Sequence, residues 1–228
     1  MSGIELIDWK MKKMGTFKLV CFDLDGVLTV KDDSWSYIHH NLGVWEQAKE
    51  HRKLFFASKI NYQQWADLDV GLWKNVSLDK INSIIQQIRV RPHIETVVQE
   101  LKNRNLISVI LSSGLSFFTD YVKNKFGFDF AIANSPIIGE NNKLTGEIHV
   151  SVSYNDKDSV LQGFLTPYNI KLKDCIAIGD GENDIPLFKE VGFSIAFNPK
   201  NEFVAKAADV TVADGDLLEV LSIILSRL

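Results

Sequence analysis

Six short, unbroken apolar runs set the strongest limit on how this chain can fold. They fall at about 17–22, 107–111, 129–134, 174–178, 193–197 and 209–212. Each is too short for a stable helix and lacks the polar alternation of a strand with one wet face, so each reads as a strand buried on both sides. Helical patterns intervene at about 93–104, 115–126, 156–166, 184–191, 200–207 and 215–227. Such alternation implies an α/β fold, a Rossmann-like parallel sheet with helices on both faces. Ligands of these sheets bind beyond the carboxyl ends of the strands.

Residues that can do chemistry gather at those ends. The first run closes on Asp23-Leu24-Asp25-Gly26. Side chains two apart on a strand point the same way, so one carboxylate can attack an electrophile while the other handles a proton. The run at 107–111 leads into Ser112-Ser113-Gly114, and the run at 174–178 into the acidic loop Gly179-Asp180-Gly181-Glu182-Asn183-Asp184. Ile185-Pro186 then suits the first turn of a helix. Lys157 opens the helical segment 156–165; alone it reads as a surface residue.

More than 80 residues separate the first two strands, far more than a βα connection needs. Residues 34–88 read as helices at about 34–42, 44–58, 61–73 and 78–88, interrupted at Gly43 and Gly71. The expected division is therefore a core of 1–30 and 90–228 with a helical insertion of 31–89. Before the first strand, Ile4, Leu6, Ile7 and Trp9 suit a short packing arm within 1–15.

Composition narrows the classes. The chain has 228 residues, 46% hydrophobic and 24% charged, with a net charge of −4. These are values of an ordinary globular protein, and they speak against a nucleic-acid or membrane-surface footprint. The clusters Lys10, Lys12, Lys13 and Lys49, Arg52, Lys53 read as solvated faces. No run has transmembrane length and no signal-peptide core is seen, which makes the cytoplasm the expected compartment. Cys21 and Cys175 read as reduced thiols packed inside strands. His39 and His40 read as packing or surface residues rather than metal ligands.

Taken in order, Asp23-x-Asp25-Gly26, Ser112, Lys157 and Gly179-Asp180-Gly181-x-Asn183-Asp184 resemble the motifs of the haloacid dehalogenase superfamily, in its phosphoserine-phosphatase-like branch. The resemblance runs from about Phe17 to Leu221. Lys143–Glu147 is similar to a hairpin of that branch, and Ile195–Lys200 to the stretch after its acidic loop. The resemblance implies a Mg²⁺-dependent phosphomonoesterase acting on a small phosphorylated metabolite through an aspartyl-phosphate. Asp23 would be the nucleophile and Asp25 the general acid, then the general base. Ser112 would donate to a phosphoryl oxygen beside the N–H groups of Ser113 and Gly114, and Lys157 would offset negative charge. Asp23, Asp180 and the Asp25 carbonyl would hold the metal, with Asp184 fixing a metal-bound water or Lys157. Gly179 and Gly181 would let the backbone approach the metal. The insertion would be a cap that excludes water. Transfer to an acceptor other than water, or a phospho-accepting switch without turnover, are the competing readings. A receiver-type switch, however, lacks a long insertion and a Gly-Asp-Gly loop after its lysine.

The same branch uses a cap acid and a cap arginine to hold the two charges of phosphoserine. Asp32 or Asp33 can fill the acid's place, and Asn183 joins the expected substrate contacts. The segment resembling the arginine-bearing helix, Asn61 to Lys74, carries acids where bases are expected. On a helix Tyr62, Trp65, Asp69 and Trp73 share a face. That face is either packed interior with Asp69 paired, or an aromatic and acidic wall favouring a cationic or neutral substrate over a carboxylate. Lys74, Arg52 or Arg91 can supply a positive group from elsewhere.

Overall fold

The computed structural model describes residues 17–30 and 33–228; the expected N-terminal arm and Asp32 lie outside the described residues. Among the described residues seven strands, β1 (Leu19–Phe22), β2 (Ile107–Leu115), β3 (Phe130–Ile138), β4 (Leu144–His149), β5 (Cys175–Gly179), β6 (Phe193–Phe197) and β7 (Val210–Val212), form one sheet ordered β4-β3-β2-β1-β5-β6-β7. Every pair is parallel except β3 with β4. The helices are α1 (Ser34–Leu42), α2 (Trp45–Phe56), α3 (Tyr62–Gly71), α4 (Leu78–Ile85), α5 (Ile94–Asn103), α6 (Ser116–Phe126), α7 (Lys157–Leu165), α8 (Ile185–Glu190), α9 (Glu202–Ala207) and α10 (Leu217–Leu225).

The unbroken apolar character of β1 has the expected cause. Val20 and Phe22 pack into one cluster with Val97 of α5, Phe118 of α6 and Val220 of α10. Leu19 and Cys21 pack into another with Leu161 of α7, Phe188 of α8 and Val204 of α9. Both faces are thus covered by helices. Cys21 and Cys175 are buried and unpaired. Burial raises both thiols, Cys175 to about 12, which keeps them inert. Among the described residues no helix is long and apolar enough to cross a membrane.

Two features depart from the sequence expectation. β2 does not stop at 111 but runs to Leu115, which pairs with Asn134 after a register shift. Ser112–Gly114 is therefore an irregular stretch of strand, and α6 begins only at Ser116. The hairpin stretch becomes a full edge strand, β4, missed as a run because buried Leu144 and Ile148 alternate with more exposed residues.

Helices α1 to α4 form the insertion after β1. The chain leaves and returns as a pair: Val30 N donates to Arg89 O at 3.1 Å and Arg91 N to Leu28 O at 2.8 Å. The insertion also meets β4. Asn75 N donates to Leu144 O and Leu144 N to Val76 O, both at 2.9 Å, so the outer edge of the sheet is covered. An Asn61–Gln64 capping box starts α3 and fixes which of its residues face inward.

Phe22 is fully buried at the sheet's centre, edge-on to Phe128 at 5.6 Å. Phe22→Ala should lower unfolding free energy by about 3–5 kcal/mol, read as a reduced urea midpoint at an unchanged slope.

Candidate active site

The strand order puts β1 between β2 and β5, and the carboxyl ends of these three strands open into one cavity of about 850 Å³. Asp23, Asp25, Ser112, Ser113, Gly114, Asp180, Asn183 and Asp69 all line it. Asp23 follows β1 directly, its N–H held by Ile178 O of β5 at 2.9 Å, so the first acid and the acidic loop are neighbours.

Carboxylate oxygens of Asp23, Asp180 and Asp184 lie within 4.8 Å of one another, all buried. Lys157, at the start of α7, is fully buried with them. Its Nζ lies 2.6 Å from Asp184 Oδ1 and 3.0 Å from Asp23 Oδ1. Burial alone would push this ammonium down, but Asp184 and Asp23 outweigh it and hold its pKa above the ordinary value. Burial raises Asp23 despite Lys157, and pushes Asp180 up to about 7 despite Lys200. One buried lysine does not balance three buried acids, and the site is short of positive charge. A hard divalent cation with oxygen ligands fits such a set.

Asp25 points elsewhere. Its carboxylate accepts from Ser34 N and Ser34 Oγ, both at 3.0 Å, so the first turn of α1 orients it. Burial, then the charges of Asp33 and Asp23, hold its pKa well above the usual carboxylate range. A carboxyl whose hold on its proton is strengthened in this way is suited to act as an acid.

The two serines are distinguished by their partners. Ser113 Oγ donates to Ser153 O at 2.8 Å and is spent. Ser112 Oγ accepts from Gly114 N at 2.9 Å, which leaves its own proton for a ligand. The expected anion cradle is thereby altered, because the Gly114 N–H is turned to Ser112. Two glycine roles also change. A Cβ at Gly179 would overlap the Asp184 carboxylate, and one at Gly181 would overlap Asn183, so these glycines make room for side chains. The close approach lies at Gly26, whose φ of +91° turns the chain beneath Asp180, where a Cβ would overlap that carboxylate.

Asp184 accepts from the N–H groups of Asp180 and Gly181, both at 3.0 Å, besides holding Lys157. Glu182 is exposed and bonds Asn201 at 2.8 Å. Asp33 spends both oxygens on Ser36, at 2.7 Å each, as the N-cap of α1. Asp69 is buried, paired with His39 and His51, and still faces the cavity. Asp69 is thus paired as interior, and Tyr62, Trp65 and Asp69 of that face border the cavity while Trp73 is buried. Sequence reasoning missed Ser34 and Lys200; Lys200 Nζ sits 3.1 Å from Asp180 Oδ2. Lys200 follows the carboxyl end of β6, at the same sheet edge, and that position was the available signal. Lys74 does not line the cavity, whereas Arg52 and Arg91 do.

A parallel sheet presenting a carboxylate pair, a hydroxyl, a buried lysine and an acidic loop at one edge defines a hydrolase of the haloacid dehalogenase-like kind. The model of that family, haloacid dehalogenase-like hydrolase, matches residues 20–189, and the chain belongs to it. It is similar to the phosphoserine phosphatase of Methanocaldococcus jannaschii, 34% identical over 208 residues, 91% of this chain and 97% of that protein. Two solved structures are also similar. A substrate-bound phosphoserine phosphatase complex has a TM-score of 0.77 at 32% identity, covering 91% of this chain and 98% of that one. A phospho-aspartyl intermediate analogue of phosphoserine phosphatase has a TM-score of 0.76 at 32% identity with the same coverage. Within its family this chain is a phosphatase of the phosphoserine-phosphatase-like branch.

Lys157→Met should lower the stability of the metal-free protein by about 3–5 kcal/mol, since it strands two buried carboxylates. Chemical denaturation in chelator checks this.

Proposed function

We propose that this chain is a Mg²⁺-dependent phosphomonoesterase that hydrolyses a small phosphorylated metabolite through an aspartyl-phosphate. The observation that carries the reading is the buried cluster of Asp23, Asp180, Asp184 and Lys157 beside a carboxyl, Asp25, held by α1. The similarity to the phospho-aspartyl intermediate analogue of phosphoserine phosphatase supports the same chemistry.

Asp23 attacks phosphorus, forming a carboxyl–phosphate bond as the ester oxygen leaves. Asp25 gives its proton to that oxygen. Its carboxylate then takes a proton from water, which attacks phosphorus, releases phosphate and restores Asp23. Lys157 offsets the charge gathered on Asp23 and the phosphoryl group, and Ser112 donates to a phosphoryl oxygen. Asp23, Asp180 and the Asp25 carbonyl would hold Mg²⁺, with Asp184 as an orienting acid. Bound there, the ion supplies neutralisation of phosphoryl charge. Helices α1 to α4 act as a cap, dividing the chain into a cap of 31–89 and a core of 1–30 and 90–228. A reducing, cytoplasmic setting suits the two unpaired thiols.

Asp23→Asn should cost at least about 10⁴-fold in kcat on a generic aryl phosphate, with the fold intact by circular dichroism. Mass spectrometry of quenched wild-type enzyme should find the phosphoryl group on Asp23; a label elsewhere sinks the mechanism. Chelator should abolish turnover, Mg²⁺ should restore it and raise the melting temperature, and Ca²⁺ should restore little. Full activity in excess chelator removes the metal assignment.

A further inference from the structure

Away from the phosphoryl site, one cavity wall carries a charge that the hydrolytic mechanism does not use. Asp69 of α3 is only 3% exposed yet lines the cavity. His39 Nε2 meets its Oδ2 at 3.2 Å and His51 Nδ1 meets its Oδ1 at 2.7 Å. Trp73 decides the state of His39. An indole N–H can only donate, and it points at His39 Nδ1 from 3.1 Å. Nδ1 is therefore the acceptor, and the single ring proton sits on Nε2 and is given to Asp69. His39 thus orients the carboxylate by an N–H without adding charge, while His51, at 2.7 Å from Oδ1, cancels that charge only when protonated.

Aromatic side chains stand near that carboxylate. Trp65 lies one turn before Asp69 on α3, Trp35 one turn before His39 on α1, and both line the cavity with Tyr62. The cavity's lysine and arginine side chains stand at its phosphoryl end or its rim, and Arg91 Nε keeps a buried N–H without a partner. Arg91 donates to Gly26 O at 3.1 Å and lies over Phe197 at 4.8 Å, and Lys200 pairs with Asp180. Arg52 is exposed, 5.6 Å over Phe56.

From this chamber we infer the substrate class: phosphomonoesters of alcohols that carry an ammonium group and no carboxylate. Asp69 accepts hydrogen bonds from the ammonium, or meets the charge of a methylated one, while the aromatic faces pack around it. A carboxylate on the same alcohol, as in phosphoserine, meets the like charge of Asp69. A cavity of about 850 Å³ accommodates a trimethylammonium as well as a primary amine. The inference rests on the phosphomonoesterase reading above.

The test compares kcat/KM with Mg²⁺ for ethanolamine phosphate against its neutral isostere propyl phosphate, and for choline phosphate against 3,3-dimethylbutyl phosphate. L-Phosphoserine and p-nitrophenyl phosphate complete the series. Each ammonium ester should exceed its neutral isostere by about tenfold and should also exceed L-phosphoserine. Asp69→Asn, folded by its melting curve, should shrink that ammonium advantage through KM more than kcat, and Trp65→Leu should shrink it too. If Asp69→Asn does not fold, the wild-type series decides alone. Equal rates for ammonium and neutral esters, or L-phosphoserine ahead, overturn the inference while aryl phosphate turnover leaves the hydrolase reading standing. No turnover of any ester, the aryl phosphate included, overturns both.

Discussion

Removing an ammonium group from water is costly, and a buried lysine survives only where fixed negative charge surrounds it. Lys157 is such a case, and the site is arranged around it. Its two partners come from distant parts of the sequence, Asp23 after β1 and Asp184 after β5, and they meet because those strands are adjacent and parallel. The lysine holds together two acids that would otherwise repel, and Asp184 in turn ties down the backbone of Asp180 and Gly181. Burial raises Asp180, and three buried carboxylates beside one buried lysine make the cavity floor a place suited to a hard cation.

Much of this was legible in the sequence. Strands buried on both faces must be apolar throughout, and residues at their carboxyl ends must share one edge of the sheet, so Asp23, Asp25, Ser112 and Asp180 could be placed together from their order alone. What escaped was non-local pairing. Nothing local says that Ser34 reaches back to Asp25, that Lys200 turns to Asp180, or that His39 and His51 converge on Asp69. The extension of β2 depended on Asn134 of β3, and β4 on pairing with a hairpin partner, so neither was written in its own residues.

Besides the Ser34–Asp25 bonds, the insertion is joined to the catalytic edge at one shared carbonyl. Ser113 O accepts from Tyr62 OH at 2.6 Å, Trp35 Nε1 at 3.3 Å and Asn134 Nδ2 at 2.9 Å. Two of these donors belong to the insertion and one to the sheet. Because Ser113 adjoins Ser112, a displacement of α1 or α3 acts on the strand that carries the phosphate-side hydroxyl. Closure of the helices and readiness of the site are thereby parts of one hydrogen-bonded unit.

The pairing of residues 75–76 with β4 bears on how such a protein can diversify. The backbone groups that finish the sheet come from the insertion, not from the sheet's own strands. Excising the helices, or exchanging them for a different set, would leave β4 with an open flank able to recruit another chain. The helices are thus not an interchangeable module. New chemistry at the leaving-group end is most accessible by replacing single side chains along α1, α2 and α3 within a retained scaffold.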